Sequence, residues 1–193
     1  MTRLLVIIGF FFTITFNVNG QISLGLNSGL NVATLSDETL DRNRWDSGVG
    51  YRVGGFSEIA FGKVGLRLEI DYSFVTIKGT FDNKINLHYV SLPLTFFYKP
   101  IRRLKILLGP EVNFLLAQSG PNMPMSFGEE RFEKMDYGAH VEIEFLMTKK
   151  VGVYLRNYFG LQYNGETMIL QTLTTTGLNK LNILGVGVSY YLK

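Results

Sequence analysis

Hydrophobic and polar residues alternate strictly along residues 64–74, which read VGLRLEIDYSF. The even positions carry no charge, whereas the odd positions include Arg67, Glu69 and Asp71. Successive side chains of an extended chain point to opposite faces, so a period of two predicts a β-strand with one apolar and one polar face. The segment therefore raises the question of what each face contacts.

The same alternation recurs along the chain after residue 20, where no helical period is convincing. Eight strands are predicted, at residues 22–32, 49–61, 64–74, 89–98, 104–116, 135–145, 151–162 and 184–192. Short links at 62–63, 99–103 and 148–149 alternate with long links at 33–47, 78–87, 118–131 and 164–180. This alternation of link lengths predicts an antiparallel up-and-down meander with its long loops at one end, as in bacterial outer-membrane barrels.

Two architectures share this strand pattern. A membrane barrel turns the apolar face outward, and a soluble lipocalin-like barrel turns it inward. The second face carries many glycines, among them Gly54 and Gly138, next to large residues such as Tyr154 and Tyr158. An eight-stranded barrel has room inside only for side chains, so small residues must lie beside large ones. The sequence thus favours an all-β, eight-stranded antiparallel transmembrane β-barrel.

The charged residues of the strands fall on the same inward face. They are Arg52, Glu58, Arg67, Glu69, Asp71, Lys105, Glu111, Asp136, His140, Glu142, Glu144 and Arg156. An Arg on the lipid side near the bilayer midplane would cost about 2–4 kcal/mol, whereas opposite charges in a narrow lumen can pair. We therefore predict a structural network of ion pairs in the lumen.

The acid-rich stretch MDYGAHVEIEF also permits a different interpretation. Its Asp136, His140, Glu142 and Glu144 could form a metal or acid–base site with Glu69 and Asp71. Structural ion-pair networks cluster charges in the same way, and we favour the network.

No catalytic motif, cofactor site or metal site is predicted. The chain has no Cys and only two His, His88 and His140, and no Ser-His-acid set occupies matching positions. GVGVSYY near the end is not followed by a helix that could bind a phosphate. With 19 basic and 16 acidic residues, and no Lys/Arg stripe interleaved with aromatics, nucleic acid is not an expected partner.

The first 20 residues have the layout of a secretory signal peptide. Arg3 precedes an apolar run at 4–12, and small residues precede Gln21. The run is short for a membrane span, which makes an uncleaved anchor helix the weaker alternative. We predict cleavage before Gln21 and a barrel domain over 21–193.

Aromatic residues are expected in two belts on the outward face, as in other membrane barrels. Phe61, Tyr98, Phe145 and Tyr190 lie near the short turns, while residues such as Tyr51 lie toward the other end.

Pro93 and Pro110 each remove a ladder hydrogen bond, and we predict a local bulge at both.

Two predicted loops contain apolar residues that could contact a partner. They are Trp45 in one loop and Met123, Met125 and Phe127 in another. A loop folded over the barrel mouth would explain the same residues.

Several stretches together resemble the PorT-like outer-membrane β-barrel family of Bacteroidota. They are QISLGLNSGLN, VSLPLTFFYKP, ILLGPEVNFLLA, MDYGAHVEIEF and VGVYLRNYFGLQYN. The resemblance implies an eight-stranded barrel in the outer membrane without catalytic residues, and some members of that family are associated with type IX secretion and gliding. It also makes the two prolines expected features. The terminal Lys193 departs from the aromatic residue common at the end of outer-membrane barrels.

The expected function is therefore structural or interactional. The expected partners are outer-membrane lipid and proteins bound through the external loops, and an accessory role in secretion or gliding is a narrower hypothesis. A narrow channel for small solutes and a soluble periplasmic lipocalin-like binding barrel are the alternatives.

Overall fold

The computed structural model describes residues 21–37, 46–78, 84–119, 135–161, 164–170 and 173–192. Its strands are β1 (Gln21–Asp37), β2 (Asp46–Phe61), β3 (Val64–Lys78), β4 (Lys84–Ile101), β5 (Leu104–Ser119), β6 (Met135–Leu146), β7 (Val151–Gly160), β8 (Asn164–Leu170) and β9 (Leu173–Tyr191). In the described part of the chain, no helix is long and apolar enough to cross a membrane. The predicted signal peptide and the loop residues Trp45, Met123, Met125 and Phe127 lie outside the described residues.

The sheet closes on itself. Strands β1 to β7 pair in chain order, β7 pairs with β9, and β9 returns to β1 from Gly25↔Tyr191 to Asp37↔Asn179. The amide of Leu192 extends this seam by donating to the carbonyl of Leu24 at 2.8 Å. The predicted fold class is thus confirmed, because the closed ring contains eight antiparallel strands and β8 pairs only with β9.

The last long connection differs from the prediction of a loop over 164–180. There β8 and the first part of β9 form a hairpin, from Asn164↔Asn179 to Leu170↔Leu173. The segment LTTTG at the start of β9 is rich in β-branched threonine, which suits a strand. Because this hairpin stands outside the closed ring, no lumen face imposes the alternation by which the other strands were recognised.

The two prolines do not form the predicted bulges. Pairing of β3 with β4 is interrupted opposite Pro93, pairing of β4 with β5 is interrupted opposite Pro110, and both ladders resume in the same register. The register shifts between β4 and β5 lie elsewhere, at His88/Tyr89 and Tyr98/Ile101. A missing N–H removes a hydrogen bond, but an extended proline keeps the residue count equal on both strands, so no bulge is needed.

The two faces of the wall differ as the alternation predicts. Outward Leu68 and Ile70 are 56% and 61% exposed, whereas the intervening Glu69 is 2% exposed. The outward belts are also present, with Phe61, Tyr98, Phe145 and Tyr190 exposed next to the short turns. An apolar outer surface of this extent excludes the soluble lipocalin-like barrel, which would turn that face inward.

Candidate functional site in the barrel lumen

Arg67 points into the lumen because it occupies an odd position on β3. It lies nearer the short turns because it is close to the start of that strand. Its guanidinium donates to Glu58 on the neighbouring β2 at 2.8 and 2.5 Å. It also crosses the lumen to β6, where it donates to Glu142 at 3.0 Å and to Glu144 at 2.6 Å. One cation thereby joins strands on opposite sides of the barrel.

Lys105 on β5 lies beside Arg67 and binds the same acids. Its ammonium donates to the two oxygens of Glu58 at 2.7 and 2.9 Å and lies 3.5 Å from Glu144. The hydroxyl of Tyr191 accepts from both cations and donates to Glu144 at 2.7 Å. Ser189 on β9 also donates to Glu144. We refer to Glu58, Arg67, Lys105, Glu144 and Tyr191 as the Arg67 cluster.

A second group lies nearer the long loops, around Arg156 of β7. Its guanidinium lies 3.3 Å from Glu69, 3.2 Å from Asp71 and 2.9 Å from Glu111. The Nδ1 atom of His140 lies 3.0 Å from Glu111 and 2.6 Å from Arg156. We refer to Glu69, Asp71, Glu111, His140 and Arg156 as the Arg156 cluster.

The two clusters form one network. Glu142 contacts Arg67 and lies 3.6 Å from Nε2 of His140, and Glu69 lies 3.7 Å from Arg67. Arg52 on β2 lies 3.7 Å from Asp71. The structure therefore brings eleven of the twelve predicted inward charges into a chain of contacts along the lumen.

The twelfth charge, Asp136, lies one layer further toward the long loops. It is 2% exposed and accepts a hydrogen bond from the hydroxyl of Tyr158 at 2.7 Å.

Sequence reasoning missed the neutral partners of the network, which include Asn27. The amide of Asn27 on β1 donates to Glu69 at 3.1 Å and to Asp71 at 2.9 Å. The only signal for Asn27 was its inward position in the alternation.

Aromatic rings close the lumen at the short-turn end. The ring of Phe56 lies under the Arg67 guanidinium at 4.4 Å and meets Tyr191 edge to face at 5.0 Å. Phe97, which is fully buried, lies 5.3 Å from the Lys105 ammonium. Glycines opposite these rings make the packing fit, since a Cβ on Gly25 or Gly65 would fall within 2.1 or 2.4 Å of a ring atom.

An apolar cluster fills the lumen at the long-loop end. It consists of the buried residues Ala33, Val75, Leu87, Tyr89 and Leu181, with Leu115 and Ile183 packed against it. Sequence reasoning placed Ala33 and Leu87 in loops and so missed this cap. The signal was a change of phase at the end of β3, where the apolar Val75 occupies an odd, inward position and the polar Thr76 an even, outward position.

A small cavity separates the charged network from the apolar cap. It is lined by Asn31, Arg52, Ser73, Ser91, Glu111, Arg156, Tyr158, Ile183 and Gly185, and has room for roughly one water molecule. The residues that line this cavity come both from the charged network and from the wall next to the apolar cap.

The charged groups of the lumen are paired with one another, although the carboxyl groups outnumber the Lys and Arg cations. Of the carboxylates that could have formed a metal site, Glu69, Asp71, Glu142 and Glu144 contact Arg52, Arg67, Lys105 or Arg156, whereas Asp136 accepts a hydrogen bond from Tyr158. Among the described residues, no group of three or more His, Asp or Glu is arranged to hold a metal ion. What this arrangement can do is hold opposite walls of the barrel together, because each buried charge is costly without its partners.

A family model agrees with this architecture. The model described as "Outer membrane protein beta-barrel domain" matches residues 9–164. No curated protein matches the chain significantly.

Two solved structures share the fold at low sequence identity. Neisserial surface protein A (NspA) is 14% identical with a TM-score of 0.58, and the match covers 88% of this chain and 98% of that one. Outer membrane protein AlkL, determined in DMPC lipid bilayers, is 12% identical with a TM-score of 0.51, and the match covers 90% of each chain. Both likenesses concern the fold.

Proposed function

Since this chain belongs to the outer membrane protein beta-barrel domain family and lies in the outer membrane, we propose that it is a closed, non-catalytic barrel. Its role is to anchor and present its external loops for interaction with other molecules. It does not act as a solute channel.

The filling of the lumen carries this proposal. Side chains from opposite walls meet in the Arg67 and Arg156 clusters, and the apolar cap seals the long-loop end above them. Opening a path would require separating buried ion pairs, and a buried charge left without its partner is strongly destabilising. A barrel held together in this way supports its loops rigidly and is poorly suited to the passage of solutes.

Conductance in planar lipid bilayers tests the closed lumen. We expect no single-channel steps from the folded full-length protein in a membrane in which a known porin gives clear steps. Regular steps that scale with the amount of folded protein would establish a narrow channel and would overturn the proposal.

The strands also support a role on the outer side. A barrel strand needs about 9–11 residues to cross a bilayer, whereas β1 has 17 residues, β4 has 18 and β9 has 19. Because short turns face the periplasm in barrels of this kind, the extra length carries the long loops away from the membrane surface. The hairpin of β8 with β9 adds to this projecting part.

The resemblance to PorT-like barrels adds the narrower hypothesis of an accessory role in secretion or gliding. Cross-linking in intact cells, followed by purification from the outer-membrane fraction, tests that hypothesis. Stoichiometric recovery of secretion or gliding components would support it, and recovery of the barrel alone would reject it while leaving the closed-barrel proposal standing.

A further inference from the structure

The short turns of the barrel carry basic residues and no acidic ones. These residues, which we call the basic rim, are Lys63, Lys99, Arg102, Arg103, Lys149 and Lys150. The acids nearest to them in sequence, Glu58 and Glu144, are buried in the Arg67 cluster. Strand ends on the opposite side carry both signs, as Asp37 at the end of β1 and Lys84 at the start of β4 illustrate.

Backbone hydrogen bonds make the basic rim continuous. The amide of Lys99 donates to the carbonyl of Lys63 at 2.6 Å, which joins the first and second turns. The amide of Leu146 donates to Arg103 at 2.7 Å, which joins the second and third turns, and that of Tyr191 donates to Lys150 at 2.7 Å. The rim therefore runs from the end of β2 around to β9.

The position of the rim relative to the membrane follows from the aromatic belt. Phe61, Tyr98 and Phe145 face outward at 39%, 44% and 39% exposure, and each precedes a basic turn by one to four residues. Aromatic residues of such belts mark the boundary between acyl chains and headgroups. The ammonium and guanidinium groups that follow them thus lie at the level of lipid phosphates, and long basic side chains can extend toward that level.

We propose that the basic rim binds anionic phospholipid headgroups, such as phosphatidylglycerol, in the leaflet that borders the short turns. A continuous series of cations without acids has the charge complementary to such headgroups, and its place beneath the aromatic belt favours a lipid over a soluble anion. The interaction holds the short-turn end at a fixed depth.

The test uses full-length protein in vesicles of phosphatidylcholine with a minor fraction of phosphatidylglycerol. Spin-labelled versions of the two lipids report the fraction of each immobilised at the protein surface. We expect phosphatidylglycerol to associate about fivefold more strongly than phosphatidylcholine, which corresponds to the effect of one basic residue near a membrane surface. This preference should fall when about 1 M salt shortens the screening length to about 3 Å.

Two matched variants distinguish an effect of the basic rim from an effect of the protein's net charge. R102Q/R103Q removes two rim cations, and K78Q/K84Q removes two cations from paired positions at the opposite end of β3 and β4. We expect the first variant to lose most of the preference and the second to retain it. If R102Q/R103Q does not fold, K149Q/K150Q takes its place.

Three results would overturn the proposal. They are equal association of the two lipids with the unmodified protein at low salt, an equal loss of preference in both variants, and co-sedimentation of peptidoglycan that depends on the rim in the absence of any lipid preference. The last result would assign the basic rim to a polyanion of the cell wall.

Discussion

Single residues hold the lumen together through shared partners. Arg67 contacts four carboxylates, those of Glu58, Glu69, Glu142 and Glu144, while only 2% of its side chain is exposed. These carboxylates compensate the buried charge of Arg67, and they in turn depend on Arg67 for a counter-charge. Removing it leaves carboxylates in the lumen that have lost a major counter-charge.

We therefore expect Arg67→Gln to lower the free energy of unfolding by about 3–5 kcal/mol. Urea titration of the folded barrel in detergent, followed by the electrophoretic shift between folded and unfolded protein, measures the change. Arg103→Gln, on an exposed turn, is the matched control and should leave the midpoint unchanged. Equal midpoints for both variants would mean that the Arg67 cluster contributes nothing to stability.

Adjacent glycines on β2 provide a second test at this scale. A Cβ on inward Gly54 would lie 1.9 Å from the Asp71 carboxylate and 2.4 Å from the carbonyl oxygen of Ile70, whereas one on outward Gly55 would meet nothing closer than 3.5 Å. Gly54→Ala should cost about 1–3 kcal/mol by overpacking, and Gly55→Ala should be tolerated. Comparable urea midpoints for the two variants would contradict a tightly filled lumen.

Individual strands carry two phases of alternation, and the change between them marks where the wall leaves the membrane. On β3 the outward positions are apolar through Ile70, become aromatic at Tyr72 and Phe74, and are polar at Thr76. Outward Thr76 donates to Asn86 of β4 at 2.9 Å, while inward Val75 joins the apolar cap. Polar outside and apolar inside is the arrangement of a wall surrounded by water.

This boundary predicts a depth dependence along one strand. Leu68→Arg should cost about 2–4 kcal/mol in folding into lipid vesicles, because the charge would face the acyl chains. Thr76→Arg on the same face of β3 should cost about 0–1 kcal/mol, because it lies at or beyond the interface. Equal costs at the two positions would show that the change of phase does not mark the membrane boundary.

At the scale of the whole molecule, closure of the ring produces a distribution of charge that the chain composition conceals. The formal net charge is only +3, yet every charged residue of the described short turns is basic, the lumen is rich in acids, and the outward wall is apolar. These three regions correspond to the headgroups on one side, the packed interior and the acyl chains. The family membership and the outer-membrane location fit this division.

The sequence by itself determined the strands, their faces and the membrane barrel. A period of two requires no knowledge of distant residues, because each strand has one face toward lipid and one toward the lumen. For the same reason, the inward position of residues such as Arg67 and His140 could be read directly. The hairpin of β8 with β9 was missed because that reasoning fails for a strand outside the ring.

Only the tertiary structure decided which charges pair, where the apolar cap lies and which hydrogen bonds join the short turns to their neighbours. Arg67 and Glu144 are separated by 77 positions, and only the register around the closed sheet determines that they meet. The cations of the basic rim lie in three separate turns, so no linear stretch of sequence contains them. The antiparallel meander that the sequence predicts places these turns on one side of the molecule, and closure of the sheet arranges them along one continuous edge.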